Sequence, residues 1–96
     1  MEVAYHPLVR GDVIAILRYY QKISLELANE FHDELRVTIN RAAENPLRFH
    51  LADKGLRRAN LTRFPYHVLY ETRSDSIRVM IVRHNKRHPD FGTGRE

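Results

Sequence analysis

Leu56-Arg57-Arg58-Ala59-Asn60-Leu61-Thr62-Arg63-Phe64, Tyr66-His67-Val68-Leu69-Tyr70-Glu71 and Ile77-Arg78-Val79-Met80-Ile81-Val82-Arg83-His84 lie almost end to end in the last third of the chain. Each alternates, and a period of two sends successive side chains to opposite faces of a pleated strand. Phe64-Pro65-Tyr66 and Arg73-Ser74-Asp75-Ser76 separate them. Strands joined by such short turns predict an antiparallel meander over about 56–64, 67–73 and 77–84. Ala59, Leu61, Val68, Tyr70, Ile77, Val79 and Ile81 form the more apolar face and should meet the core. Arg58, Asn60, Thr62, His67, Glu71 and His84 should share the exposed face, with Lys86, Arg87 and His88 following the last strand.

Upstream, Glu2-Val3-Ala4-Tyr5-His6 alternates and predicts a short strand. Val9, Val13, Ile16, Leu17 and Tyr20 recur at helical spacing over 8–22. Ser24 is placed to cap a second helix, whose stripe is Ala28, Phe31, Leu35, Thr38, Ile39 and Ala42. Asn45-Pro46 ends it, because proline disfavours helical geometry in the residue before it. Residues 46–55 read as a loop with Leu47, Phe49 and Leu51 turned inward. The expected fold class is α+β, in the order β-α-α-β-β-β. A helical hairpin packs on one face of a four-stranded sheet and leaves the other face partly open. Residues 1–96 form one domain, with 92–96 a mobile tail.

Composition narrows the chemistry. No cysteine is present, which excludes thiol catalysis and cysteine metal sites. No apolar run approaches the roughly 20 residues of a membrane span, and no signal-like segment opens the chain, so a cytoplasmic protein is expected. Lys and Arg outnumber Asp and Glu by 16 to 12. The distribution matters more than the sum. Residues 57–87 carry eight Arg or Lys against Glu71 and Asp75, whereas the second helix is acidic through Glu26, Glu30, Asp33, Glu34 and Glu44. A basic surface attracts phosphate backbones or acidic proteins. Most single arginines on an open sheet face serve only solvation and protection against edge pairing. His6, His32 and His50 stand apart from this pattern, and His84-x-x-x-His88 lacks the ligand set of a metal site.

The helix end "AENPLRF", the hairpin "RRANLTRFPYHVLYE" and the final strand "IRVMIVRHNKRHPDF" resemble, in this order, the RelE/ParE superfamily of toxins from type II toxin–antitoxin systems. The resemblance spans nearly the whole chain. It implies one of two activities: RelE-like members cut mRNA in the ribosomal A site, and ParE-like members inhibit DNA gyrase. A diverged, inactive member would only bind its antitoxin. The resemblance also implies a cognate antitoxin, a toxin–antitoxin hetero-oligomer and no cofactor. Arg58 and Arg87 match basic positions of the RelE pattern, while "RHNKRHPD" is at least as similar to ParE-like members.

The reading favoured at this level is a metal-independent, ribosome-dependent mRNA endoribonuclease, with gyrase inhibition as the rival. RNA can be cut by its own 2′-hydroxyl if a protein moves the protons and holds the phosphate. His67 and His84 are the expected acid–base pair, since imidazole titrates near neutrality. Arg58 and Arg87 would grip the phosphate through guanidinium forks. Arg57, Asn60, Arg63, Arg83, Lys86 and His88 would bind the RNA strand. The antitoxin would dock in the helix-hairpin groove or across the basic sheet.

Overall fold

A computed structural model describes the backbone of residues 1–96 and every side chain except that of Asp53. The elements run β1 (Glu2–Tyr5), α1 (Val9–Gln21), α2 (Leu25–Glu44), β2 (His50–Leu51), β3 (Arg57–Asn60), β4 (Tyr66–Thr72) and β5 (Ser76–His84). The sheet has five strands in the order β1-β5-β4-β3-β2, one more than expected. The extra strand is the short edge β2, whose His50 and Leu51 pair with Arg58 and Arg57. Leu47-Arg48-Phe49-His50-Leu51 does alternate, but only His50 and Leu51 reach the edge of β3 to pair. β1 pairs parallel with β5, and the meander pairs antiparallel.

Ser24 caps α2 by accepting the Leu27 amide, and every residue of the predicted α2 stripe is buried. With Val9, Ile16 and Tyr20 of α1, that stripe covers Ala59, Val68, Tyr70, Ile77, Val79 and Val82. Leu56, Leu69, Met80 and Ile81 form a second apolar cluster on the opposite face, with Phe91 against it. Of the loop residues expected inside, only Phe49 packs on the core; Leu47 and Leu51 are 68% and 64% exposed.

The β3–β4 turn is longer than the pattern suggests, and β3 stops at Asn60. Glu34 of α2 explains the difference. Its carboxylate accepts the Thr62 and Arg63 amides and the Thr62 hydroxyl, fastening the turn to the helix. Burial alone would raise the Glu34 pKa, but the Thr62 hydroxyl and the Arg63, Thr62 and Phe64 amides outweigh it and hold the carboxyl below its ordinary value. Glu34→Gln is therefore expected to lower stability by about 1–2 kcal/mol at pH 7. Wild type loses the same contribution as pH falls below the carboxyl's ordinary 4.5, so the gap should narrow there. Urea titrations of both proteins at pH 7 and pH 3.5 check this; a gap that stays constant would remove the turn-fastening role.

β5 carries a bulge. Leu69 faces Ile81 while Tyr70 faces Val79, so Met80 is the unmatched residue. A bulge advances the strand by one residue and exchanges its faces beyond that point. Val82 thus enters the helix-side core and His84 follows it, while Ile81 and Arg83 join the open face. The expected placement of His84 beside His67 is corrected by this single residue.

The C-terminal segment from residue 92 lies against the sheet, with Gly92 beside Ile81 and Arg95 donating to the Met80 carbonyl. Arg95 forms a two-pronged ion pair with Asp12 of α1. Among the described residues, no helix is long and apolar enough to cross a membrane.

Candidate functional site

Register builds the site. Asn60 of β3 pairs with His67 of β4, and His67 pairs with Arg83 of β5. One row of polar side chains therefore crosses the open face, and Arg58 stands in the next row opposite Leu69. Asn85 and Arg87 follow β5 and close one side. Pro89 and Thr93 of the C-terminal segment close another. Together they bound a concavity of about 290 Å³, with Ala52 and Leu69 contributing apolar wall.

His67 lies at the centre and is 1% exposed. Arg83 Nε donates to its Nε2 at 2.9 Å, and its Nδ1 sits 2.8 Å from Asn85 Oδ1. Arginine only donates, so Nε2 must be the bare acceptor and Nδ1 must carry the proton given to Asn85. The ring is neutral in this arrangement. Its pKa is lowered to about 4, chiefly by burial, and further by the charges of Arg58, Arg83 and His84 against the opposing pull of Asn85. Both nitrogens are occupied within the protein.

The other predicted residues separate into two groups. Arg58 belongs to the concavity: its Nε donates to Asn60 Oδ1 at 2.8 Å, and Nη2 lies 3.5 Å from Asn85 Oδ1. Arg87 also belongs, with its guanidinium 4.1 Å from the centroid of the Phe91 ring. Arg83 donates through Nη1 to the Pro89 and Phe91 carbonyls. Lys86 and His88 are exposed at the rim; the His84 Nδ1 accepts the Lys86 amide, and the His88 Nδ1 accepts the Asp90 amide.

Three residues lie elsewhere. His84 packs edge-on to Tyr66, 5.0 Å between centroids, and lines a neighbouring groove with Tyr19 beside α1, which shares Arg83 and Arg87 with the concavity. Arg57 pairs with Tyr70 of the helix-side core, and its Nη1 donates to the Phe49 carbonyl at 2.8 Å. That bond fastens the loop rather than a ligand. Arg63 sits in the β3–β4 turn and bridges to Glu30 at 3.0 Å. The expectation that Arg58, His67, His84 and Arg87 converge thus holds in space for Arg58, His67 and Arg87. His84 is excluded by the bulge.

Sequence reasoning missed Asn85, the acceptor that links His67 and Arg58. It follows a strand among five cations and histidines, and nothing in the pattern separates it from a turn residue. A second cavity, about 550 Å³, opens between the end of β1 and the two helices. Val9, Val13, Leu35 and Ile39 give it an apolar floor, with Arg10, His32 and Arg36 at its margin.

A family model described as the ParE toxin of the type II toxin–antitoxin system parDE matches residues 3–89. Among solved structures, the chain is similar to one titled as the chromosomal ParDE TA system from P. aeruginosa. That likeness has a TM-score of 0.78 at 16% identity and covers 88% of this chain and 95% of the other. No curated protein sequence matches.

Proposed function

The chain belongs to the ParE toxin family of type II toxin–antitoxin systems, and from that premise we propose that it acts by binding its target without chemistry, the target being DNA gyrase. The observation that carries this reading is the Arg83–His67–Asn85 chain. A nuclease working through the RNA 2′-hydroxyl needs one group to take a proton and another to return one. His67 has no free nitrogen for either task, and its lowered pKa keeps it neutral. His84, the expected partner, stands on the other side of the sheet. What remains in the concavity is Arg58, Arg83 and Arg87, permanent cations that grip anions and do not shuttle protons. The favoured expectation of RNA cleavage therefore gives way here to its rival.

In this reading Arg58, Arg87 and the rim residues Lys86 and His88 meet acidic groups on the target, and the protein works in the cytoplasm. A cognate antitoxin is the second partner. Its apolar segment fits the cavity floored by Val9, Val13, Leu35 and Ile39, as an amphipathic helix fits a groove.

The test is a supercoiling assay with purified protein, alongside a cleavage assay on translating ribosomes. Wild type should inhibit supercoiling and leave mRNA intact. Arg58→Glu combined with Arg87→Glu should raise the concentration for half-inhibition by about tenfold or more, the equivalent of about 1.4 kcal/mol of lost contact. His67-dependent cutting of ribosome-bound mRNA would refute the proposal.

A further inference from the structure

β1 ends at Tyr5, and His6 still donates its amide to the Val79 carbonyl at 2.8 Å. Beyond that point the edge of β5 has no strand beside it. Two side chains 83 positions apart close it. Asp12 Oδ2 accepts the Val82 amide at 3.2 Å, and Arg95 Nη1 donates to the Met80 carbonyl at 2.9 Å. The same two groups join each other, Nη1 to Oδ2 at 2.7 Å and Nη2 to Oδ1 at 2.9 Å. Their side chains are 10% and 7% exposed. A fork-to-fork pair this well buried holds its geometry tightly, because breaking it leaves an uncompensated charge.

The pair anchors more than an edge. Between Arg87 and Arg95 the chain crosses the open face as a strap. Phe91 packs against the Leu56, Leu69, Met80 and Ile81 cluster. Gly92 follows at φ +79, where an added Cβ would come within 2.8 Å of Ile81 Cγ1. Only glycine combines that left-handed backbone with so close an approach. The strap in turn supplies what aims the concavity's cations: the Pro89 and Phe91 carbonyls accept from Arg83, and the Phe91 ring underlies Arg87. A segment that lies outside the sheet ladder pays conformational entropy to lie still. With no anchor at its far end, the hold on both arginines would loosen.

We propose that Asp12 and Arg95 are positioning residues for toxicity: their ion pair latches the strap so that Arg83 and Arg87 face the target. The inference rests on the concavity being the target-binding surface. It adds that a helix residue and a near-terminal residue, neither lining that concavity, set its activity.

The test uses the full chain with Arg95→Gln and Asp12→Asn, and with Ser24→Ala, which weakens the remote cap of α2, as the stability control. Three quantities are read: growth arrest on induction, inhibition of gyrase supercoiling, and hydrogen exchange of the Phe91 amide, which donates to the His88 carbonyl. Both latch variants should fold cooperatively, lose Phe91 protection, and need about tenfold more protein for the same arrest. Ser24→Ala should melt earlier yet keep strap protection and potency. Should a latch variant fail to fold, Arg95→Lys keeps the charge without the fork and is read instead. The latch is overturned if Arg95→Gln keeps either its potency or its Phe91 protection, or if Ser24→Ala loses as much potency. Failure of the gyrase reading looks different: wild type arrests growth but leaves supercoiling untouched, while the growth and exchange arms still report on the latch.

Discussion

Phe31→Ala is expected to lower stability by about 3–5 kcal/mol, the usual range for emptying a buried phenylalanine site. Phe31 is fully buried at the centre of an aromatic cluster. Its ring lies 5.6 Å from Tyr20, 5.4 Å from Phe64 and 5.3 Å from Tyr66, two of the contacts edge-on. These rings join α1, α2, the β3–β4 turn and the start of β4, so no single element can move in to fill the space. Small domains hold only about 5–15 kcal/mol in reserve. At roughly 4–8 °C per kcal/mol for a domain of this size, the melting midpoint should drop by about 15 °C or more. Thermal and urea unfolding measure both. A loss under about 1 kcal/mol would mean that the cluster repacks around the gap, contrary to the convergence of four elements on it. The same variant should impair target binding indirectly, because Tyr66 immediately precedes His67 on β4.

Acidification is the second large effect. Folded His67 takes a proton only near pH 4, while in the unfolded chain it does so near 6.5. Between those values the unfolded state carries the additional proton, so stability falls as pH drops from about 6.5 towards 4. Two and a half pH units correspond to about 3 kcal/mol at the limit. Protonation would also place a donor where Arg83 now donates, forcing the two cations apart and opening the concavity. His67→Gln cannot titrate, so its stability should fall distinctly less than that of wild type across this window, leaving only the smaller losses from His6 and Glu34. Glu34 adds its own loss only below about 4.5, while His6, whose pKa is also lowered by burial and by the charges of Arg78 and Arg95, adds a loss of the same sign in the upper part of the window. Urea midpoints at half-unit steps from pH 7 to pH 4 test the claim. Parallel curves for wild type and His67→Gln would show that His67 is not held neutral by its surroundings.

The α2 stripe and its Ser24 cap were readable because helix periodicity and capping are local: each depends on residues within a few positions of one another. The second strand of the meander was readable for the same reason, since strict alternation over Tyr66–Glu71 fixed its faces. β5 was ambiguous because Met80, Ile81 and Val82 are all apolar, so no contrast marks where the alternation slips. The bulge that resolves it arises from pairing with β4, a partner that a single segment does not describe.

The candidate site divides along the same line. The sequence by itself determined the β-α-α-β-β-β order, the apolar faces of α2 and β4, and the clustering of cations after residue 56, because periodicity and composition are properties of neighbouring residues. Tertiary structure alone decided that His84 leaves the concavity, that Asn85 and Arg83 lock His67, and that Arg95 reaches Asp12. Those outcomes depend on strand register and on contacts between distant segments, where a shift of one residue turns a side chain to the opposite face and a partner 83 positions away holds Arg95 in place.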